Sequence, residues 1–304
     1  MMSETIKSQT QLLYFEEDLD FALAIAKDSH LDPLMIERHR FPDGELKLKL
    51  PPQVSSQAVL LRSLDHPNEK LIELLLAGQT ARELGAKKVT LVSPYLAYMR
   101  QDIAFTLGES VSQRIIGQFL GSLFDTLITV DPHMHRIAKL EDVAPSLKTI
   151  VLSGAPLLGD WIAQTINDEP LVLIGPDGES GQWLALAAGK HGFKYATCEK
   201  IRHGDYSVEI KLPKIALLGY RAVLLDDVVS SGRTIAGAAK LILAAGATSV
   251  DVAVTHALFS SDARKLIQDS GVRNIWSTDC IKDPSNIVSI APEISRLLMQ
   301  TLSL

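Results

Sequence analysis

The chain has 304 residues, 46% of them hydrophobic and 22% charged, and a net charge of −6. That length holds two domains with separate cores. The mildly acidic balance excludes the broad basic field of a non-specific nucleic-acid binder, so any anionic ligand must be held by local groups.

The N-terminal MMSETIKSQTQ lacks the apolar core of a secretory signal. No run approaches the ~18 apolar residues of a membrane span; TIVLSGAPLLGDWIA is broken by Gly, Pro and Asp. Short apolar, β-branched runs predict strands at 58–64, 89–95, 126–131, 171–175, 222–227 and 250–258. Several are apolar throughout, as parallel strands covered on both faces are. Apolar spacings of three and four predict helices at 68–84, 110–124, 180–192 and 234–246, and an amphipathic last helix in APEISRLLMQTLSL. The alternation predicts an α/β chain with mainly parallel sheets flanked by helices. Cys198 and Cys280 are the only cysteines; they form no disulfide framework or zinc knuckle and fit a reducing cytoplasm.

TLVSPYLAY followed by TLITVDPHMH in the first half is matched against VLIGPDGES followed by VLLDDVVSS in the second. This reads as an internal repeat: two similar domains, 1–150 and 151–304, joined near 146–158, with the last helix free to pack on either.

VLLDDVVSSGRT, Val223–Thr234, carries the most chemistry. In open α/β sheets ligands bind beyond the carboxyl ends of the strands. Ser230, Ser231, Gly232, Arg233 and Thr234 precede a predicted helix, whose unpaired N–H groups and dipole favour a phosphate. Paired carboxylates beside such a cradle are explained by a sugar phosphate: the loop takes the phosphate, and Asp226 and Asp227 accept hydrogen bonds from adjacent ribose hydroxyls. No GxxxxGK[ST] loop occurs.

This string resembles the phosphoribosyl pyrophosphate motif of the type I phosphoribosyltransferase fold. Together with FPDGE (41–45), SPYLAYMRQD (93–102), TVDPHMH (129–135), GPDGES (175–180), CEKIRHGDYSVEI (198–210) and THALFS (255–260), it is similar to the ribose-phosphate diphosphokinase family over nearly the whole length. The resemblance implies two phosphoribosyltransferase-like domains. It also implies an enzyme that moves the β,γ-diphosphate of ATP to the 1-hydroxyl of ribose 5-phosphate, leaving AMP, with Mg²⁺ as cofactor. Lys200 and Arg202 would neutralise developing charge from a mobile loop. His133 and Asp177 would lie on the Mg²⁺ side, His133 near the ATP phosphates. Zinc at His133–His135 lacks further ligands. Arg100 and Gln101 would contact ATP, and Asp43 and Glu45 would reach the adenine from a neighbouring subunit, which implies a homo-oligomer, a dimer or higher. Phe41 would stack or join the core, and the core is the reading favoured here.

The chain departs from the family's pattern in places. Ile103-Ala104-Phe105 stand where basic residues are usual, and PPQVSSQAVLL lacks the phosphate-activated signature. Glu179-Ser180 replace Gly-Gly, and Arg233 replaces a common Gly. An effector response to inorganic phosphate or ADP is therefore not implied. Three other readings stay open: a phosphoribosyltransferase that consumes the activated sugar, which would not need RQD or Lys200-Ile201-Arg202; a silent paralogue that regulates a true synthetase; and a synthetase with an altered acceptor sugar.

Overall fold

The computed structural model describes residues 10–134, 139–203 and 207–302; the side chains of 201–203 and 207–209 lie outside that description, as does His135. The chain divides into one unit of Met1–Leu152 with Ala291–Leu304 and a second of Ser153–Ile290.

The first unit holds β1 (Gln11–Tyr14), α1 (Leu19–Ser29), β2 (Asp32–Met35), β3 (Glu37–Arg40), β4 (Leu46–Lys49), β5 (Gln57–Leu61), α2 (Pro67–Glu83), β6 (Lys88–Ser93), α3 (Ser112–Leu123), β7 (Thr126–Val130) and β8 (Lys148–Leu152). The second holds α4 (Ala155–Thr165), β9 (Leu171–Gly175), α5 (Gly181–Ala188), β10 (Lys194–Thr197), β11 (Glu199–His203), β12 (Ser207–Lys211), β13 (Arg221–Val229), α6 (Arg233–Ala244), β14 (Ser249–Ala257), α7 (Ala263–Asp269), β15 (Val272–Thr278) and β16 (Asn286–Val288). The last helix, α8 (Ala291–Leu302), belongs to the first unit, where Ser295 Oγ donates to Ile25 O at 2.9 Å on α1.

Each unit is built on a six-stranded sheet, ordered β2-β1-β5-β6-β7-β8 in the first and β10-β9-β13-β14-β15-β16 in the second. All the pairings in both sheets are parallel. Helices cover both faces, so the central strands are apolar throughout. In the second unit Ala222 and Leu224 pack with Ala238, Ile242 and Ile267 of α6 and α7. Their neighbours Val223 and Leu225 pack on the opposite face with Leu158, Ile162 and Leu184 of α4 and α5. A separate antiparallel hairpin follows the second strand of each sheet: β3–β4 in the first unit and β11–β12 in the second. No helix among the described residues is long and apolar enough to cross a membrane.

The six predicted strands appear as β5, β6, β7, β9, β13 and β14, with ends shifted by a few residues. The predicted helix 180–192 stops at Ala188, before Gly189. The segment expected to join the domains, 146–158, contains β8 and the first residues of α4.

The pairing of the internal repeat is corrected. The two sheets share one strand order, which matches β9 with β1, β13 with β5, β14 with β6 and β15 with β7. VLIGPDGES therefore corresponds to QLLYFEED, not to TLVSPYLAY, and VLLDDVVSS corresponds to VLLRSLDHP, not to TLITVDPHMH. The true echo is the tetrapeptide AVLL, at 58–61 and again at 222–225. Apolar parallel strands look alike to a pattern search, and the loop residues that would have separated them have diverged.

Candidate active site

The sheet of the second unit has a crevice built into its connections. From β9 the chain runs through α5 to β10 on one side. From β13 it runs through α6 to β14 on the other. Adjacent strands whose connections diverge leave a gap at their carboxyl ends, the usual ligand position in such sheets. Here β13 is paired to β14 as far as Val229, but to β9 only as far as Leu224. Asp226 and Asp227 thus lie inside the strand, and beyond Leu224 the β9 side is left to the loop Pro176–Ser180. Asp226 is partly exposed, whereas Asp227 is buried at 1%.

Asp226 Oδ1 accepts hydrogen bonds from Ser180 Oγ (3.2 Å) and from the Asp227 backbone N–H (3.1 Å). Burial, and then the charges of Asp227 and Asp177, still push Asp226 well above the ordinary carboxylate range. Asp177 follows β9 in extended backbone, and its Oδ1 accepts from Glu179 N at 3.1 Å, which shapes the turn. The turn packs tightly: a Cβ on Gly175 would lie 2.8 Å from that of Ser180. Glu179, the added carboxylate, is exposed. Sequence reasoning noticed Ser180 only as a departure; its hydrogen bond to Asp226 has no sequence signal, since it crosses between strands.

Beyond β13, Ser230-Ser231 turn the chain into α6, with the Ser230 carbonyl accepting from Ser260 N at 3.1 Å. Gly232 has φ +69°, and a Cβ there would stand 3.0 Å from Ile267 and 3.1 Å from the Ala263 carbonyl, so both conformation and space demand glycine. No side chain caps α6 and no acidic residue sits in its first turn. Its leading N–H groups face no protein carboxylate cap, while Ser231 and Arg233 are exposed and Ser230 and Thr234 half-buried around them.

Lys200 and Arg202 were expected on a loop; both belong to strand β11, with Lys200 opposite Ile210 and Arg202 opposite Val208. Lys200 is half-buried, and the Arg202 side chain lies outside the described part. Cys198, just before β11, is buried, and burial together with Asp177 pushes its thiol up to about 11, which leaves it unreactive.

In the first unit, Phe41–Glu45 form the tip of the β3–β4 hairpin. Phe41 N donates to Glu45 O (2.8 Å), Glu45 N donates to Asp43 Oδ1 (3.1 Å), and Gly44 takes φ +95°. The core reading of Phe41 is corrected: it is 39% exposed, in a T-shaped contact with His39 at 4.8 Å between centroids, because a hairpin tip has no second layer to bury it. A cavity of about 310 Å³ lies between hairpin and α2, lined by Arg40, Gly44, Glu45, Leu46, Glu69, Ile72 and Leu76. Arg100 is exposed after β6; Gln101 is half-buried, with Ser112 Oγ 3.5 Å from its Oε1. His133 is half-buried two residues beyond Asp131, which has φ +36° at the end of β7. His133 belongs to the first unit and Asp177 to the second. Among the described residues no three His, Cys, Asp or Glu side chains group as a self-sufficient metal site.

A family model described as the N-terminal domain of ribose phosphate pyrophosphokinase matches residues 10–123, and one described as a phosphoribosyl transferase domain matches 154–289. The chain is 35% identical over 274 residues to the ribose-phosphate pyrophosphokinase of Methanopyrus kandleri, covering 90% of this chain and 92% of that one. It is 32% identical to the enzyme of the same name from Saccharolobus solfataricus, with 88% and 92% covered. Among solved structures, phosphoribosylpyrophosphate synthetase from Mycobacterium smegmatis matches with a TM-score of 0.85 at 23% identity, over 97% of this chain and 99% of that one, a likeness of fold.

Proposed function

The chain belongs to the ribose-phosphate pyrophosphokinase family, and from that premise we propose how its residues divide the work. The reaction transfers the β,γ-diphosphate of ATP to the 1-hydroxyl of ribose 5-phosphate, giving 5-phosphoribosyl 1-diphosphate and AMP, a supply step for nucleotide biosynthesis. The sugar oxygen attacks the β-phosphorus as the bond to the α-phosphate oxygen breaks. Catalysis is then mainly positioning and charge stabilisation.

The observation that carries the assignment is the uncapped start of α6 behind Gly232, next to a carboxylate that accepts two hydrogen bonds and stays partly open. Ser230, Ser231, Gly232, Arg233 and Thr234 hold the 5-phosphate. Asp226, the more open of the pair, takes ribose hydroxyls from above, and Asp227 supports the neighbouring hydroxyl from within the sheet. Lys200 and Arg202 meet the charge that develops on the transferring diphosphate. Arg100, Gln101 and His133 hold ATP, and the hairpin tip with Phe41, Asp43 and Glu45 contacts its base from a neighbouring copy, so the working form is a homo-oligomer. We place the enzyme in the cytoplasm.

The residues fit a Mg²⁺ ion. Burial, and then the charges of Asp227 and Asp177, push Asp226 upward, and a hard dication placed beside these carboxylates would relieve the charge part of that push. Mg²⁺ keeps waters and substrate oxygens as ligands, so it needs few protein groups. Asp177 would hold such an ion in the second unit, and His133 would do so beside the nucleotide phosphates in the first; when bound, Mg²⁺ neutralises phosphate charge. The test is nucleotide turnover with each component withheld in turn. AMP is expected only when ATP, ribose 5-phosphate and Mg²⁺ are all present; AMP release that ignores ribose 5-phosphate overturns the assignment.

A further inference from the structure

The shared strand order gives the first unit its own version of the crevice, between β1 and β5. There AVLL is followed by Arg62, where the second unit has Asp226. The first-unit crevice is filled by the protein itself. Arg62 is 1% exposed; its Nε donates to Glu73 Oε2 (2.8 Å), and its terminal nitrogens donate to Asp18 Oδ2 (2.8 Å) and Glu17 Oε1 (3.1 Å). Its guanidinium carbon sits 4.6 Å from the centre of the Phe15 ring. Glu17 and Asp18 come from the loop after β1, the counterpart of the loop that carries Asp177.

One more side chain enters this cluster, and it comes from the hairpin. Arg38 of β3 donates to Glu73 Oε1 (2.5 Å) and Glu17 Oε1 (2.9 Å), two of the three carboxylates that Arg62 uses. Glu73 is 1% exposed, so its hydrogen bond with Arg38 is partly sheltered from water, whereas the one to Glu17 is exposed. The hairpin has little else of this kind. It forms its own two-stranded sheet, unpaired with the six-stranded one. Among the described residues its other ion pair to α2, Arg40 to Glu69, is exposed on both sides, and such pairs fix geometry weakly.

We propose that Arg38 is a positioning residue for the nucleotide: through Glu73 and Arg62 it anchors the β3–β4 hairpin in the filled crevice and so sets where the Phe41–Glu45 tip stands. A crevice that binds a sugar phosphate in one unit has become, in the other, the socket of the arm that meets the base. The proposal rests on the reading of that tip as a nucleotide contact. One terminal nitrogen of Arg38, Nη1, serves both carboxylates, and the rigid guanidinium plane fixes where it stands, which the flexible stem of a lysine does not.

The test is steady-state kinetics on the full chain with Arg38→Met, Arg38→Lys and Asp43→Ala. Arg38→Met is expected to raise KM for ATP about tenfold or more, with kcat and KM for ribose 5-phosphate within about twofold of wild type. Arg38→Lys is expected to recover part of the loss, and amide exchange at Phe41, Gly44 and Glu45 to quicken in Arg38→Met while that of β5 and β6 does not. If Asp43→Ala weakens ATP and Arg38→Met does not, the anchor is refuted and the tip reading stands. If Arg38→Met weakens both substrates alike, its role is general stability and the proposal falls. If Asp43→Ala leaves ATP unaffected, the tip reading falls and takes the proposal with it.

Discussion

Replacing Gly232 by alanine isolates the phosphate turn from the chemistry. At φ +69° an L-residue loses about 1 to 2 kcal/mol relative to glycine. The new methyl would stand 3.0 Å from two carbons of Ile267 and 3.1 Å from the Ala263 carbonyl oxygen. Ile267 is fully buried on α7 and the carbonyl is backbone, so relief requires the turn or α7 to move, an overpacking cost of about 1 to 3 kcal/mol. The total, about 2 to 5 kcal/mol, must surface somewhere. A turn that keeps its shape loses folding stability; a turn that relaxes loses the orientation of the first N–H groups of α6 and with it the 5-phosphate. Urea unfolding reads the first part. The second is read by KM for ribose 5-phosphate, each tenfold rise counting as about 1.4 kcal/mol. The two losses are expected to sum to at least about 2 kcal/mol, with KM for ATP nearly unchanged. A variant with both quantities within about 0.5 kcal/mol of wild type would refute the reasoning about this turn.

Lys200→Ala is expected to lower kcat about a hundredfold or more at saturating substrates, from lost stabilisation of developing charge; a loss confined to KM would make Lys200 a binding residue only. In the first unit, burial lifts Asp18 to about 6 against the attraction of Arg62. Between about pH 4 and 6 the folded chain then keeps a proton that the unfolded chain has lost, so unfolding free energy falls as pH rises, by about 1.4 kcal/mol per pH unit at most. Glu17 acts in a lower window. Burial would raise it, but its own backbone N–H, Arg38 and Arg62 carry it down to about 2, so its contribution is lost only as pH falls below its ordinary 4.5. Urea unfolding at about pH 4.5 and 6.5 should therefore show a downward contribution in wild type that Asp18→Asn lacks; parallel slopes in the two proteins would contradict this.

What the sequence showed and what it hid separate along physical lines. β13 and α6 were legible because an unbroken apolar run, a turn with glycine and an apolar face of helical spacing lie within one short stretch. The central strands were legible because burial on both faces leaves nothing but apolar residues. The edges were not. β2 reads Asp-Pro-Leu-Met, and its proline, which lacks an N–H, fits only because the strand ends its sheet. β1 and β16 are too short to show a period, and they exist because the sheet supplies their partners. The same holds for the site. Asp226 and the SSGRT turn are contiguous, so their partnership is written in the chain. Ser180 and Asp226 are far apart in sequence and meet only through the order of strands in a sheet, and Arg38 reaches Glu73 only because the hairpin folds back against α2. Phe41 was misplaced for the converse reason: a phenylalanine usually finds a core, but a two-stranded hairpin tip offers none.

The central claim is that the β- and γ-phosphates move together onto C1 of the sugar. A phosphorus NMR spectrum of the products decides it. AMP is expected in equal amount with a sugar that carries a diphosphate at C1 and its original phosphate at C5. ADP with a sugar bisphosphate would show transfer of a single phosphoryl group and contradict the account.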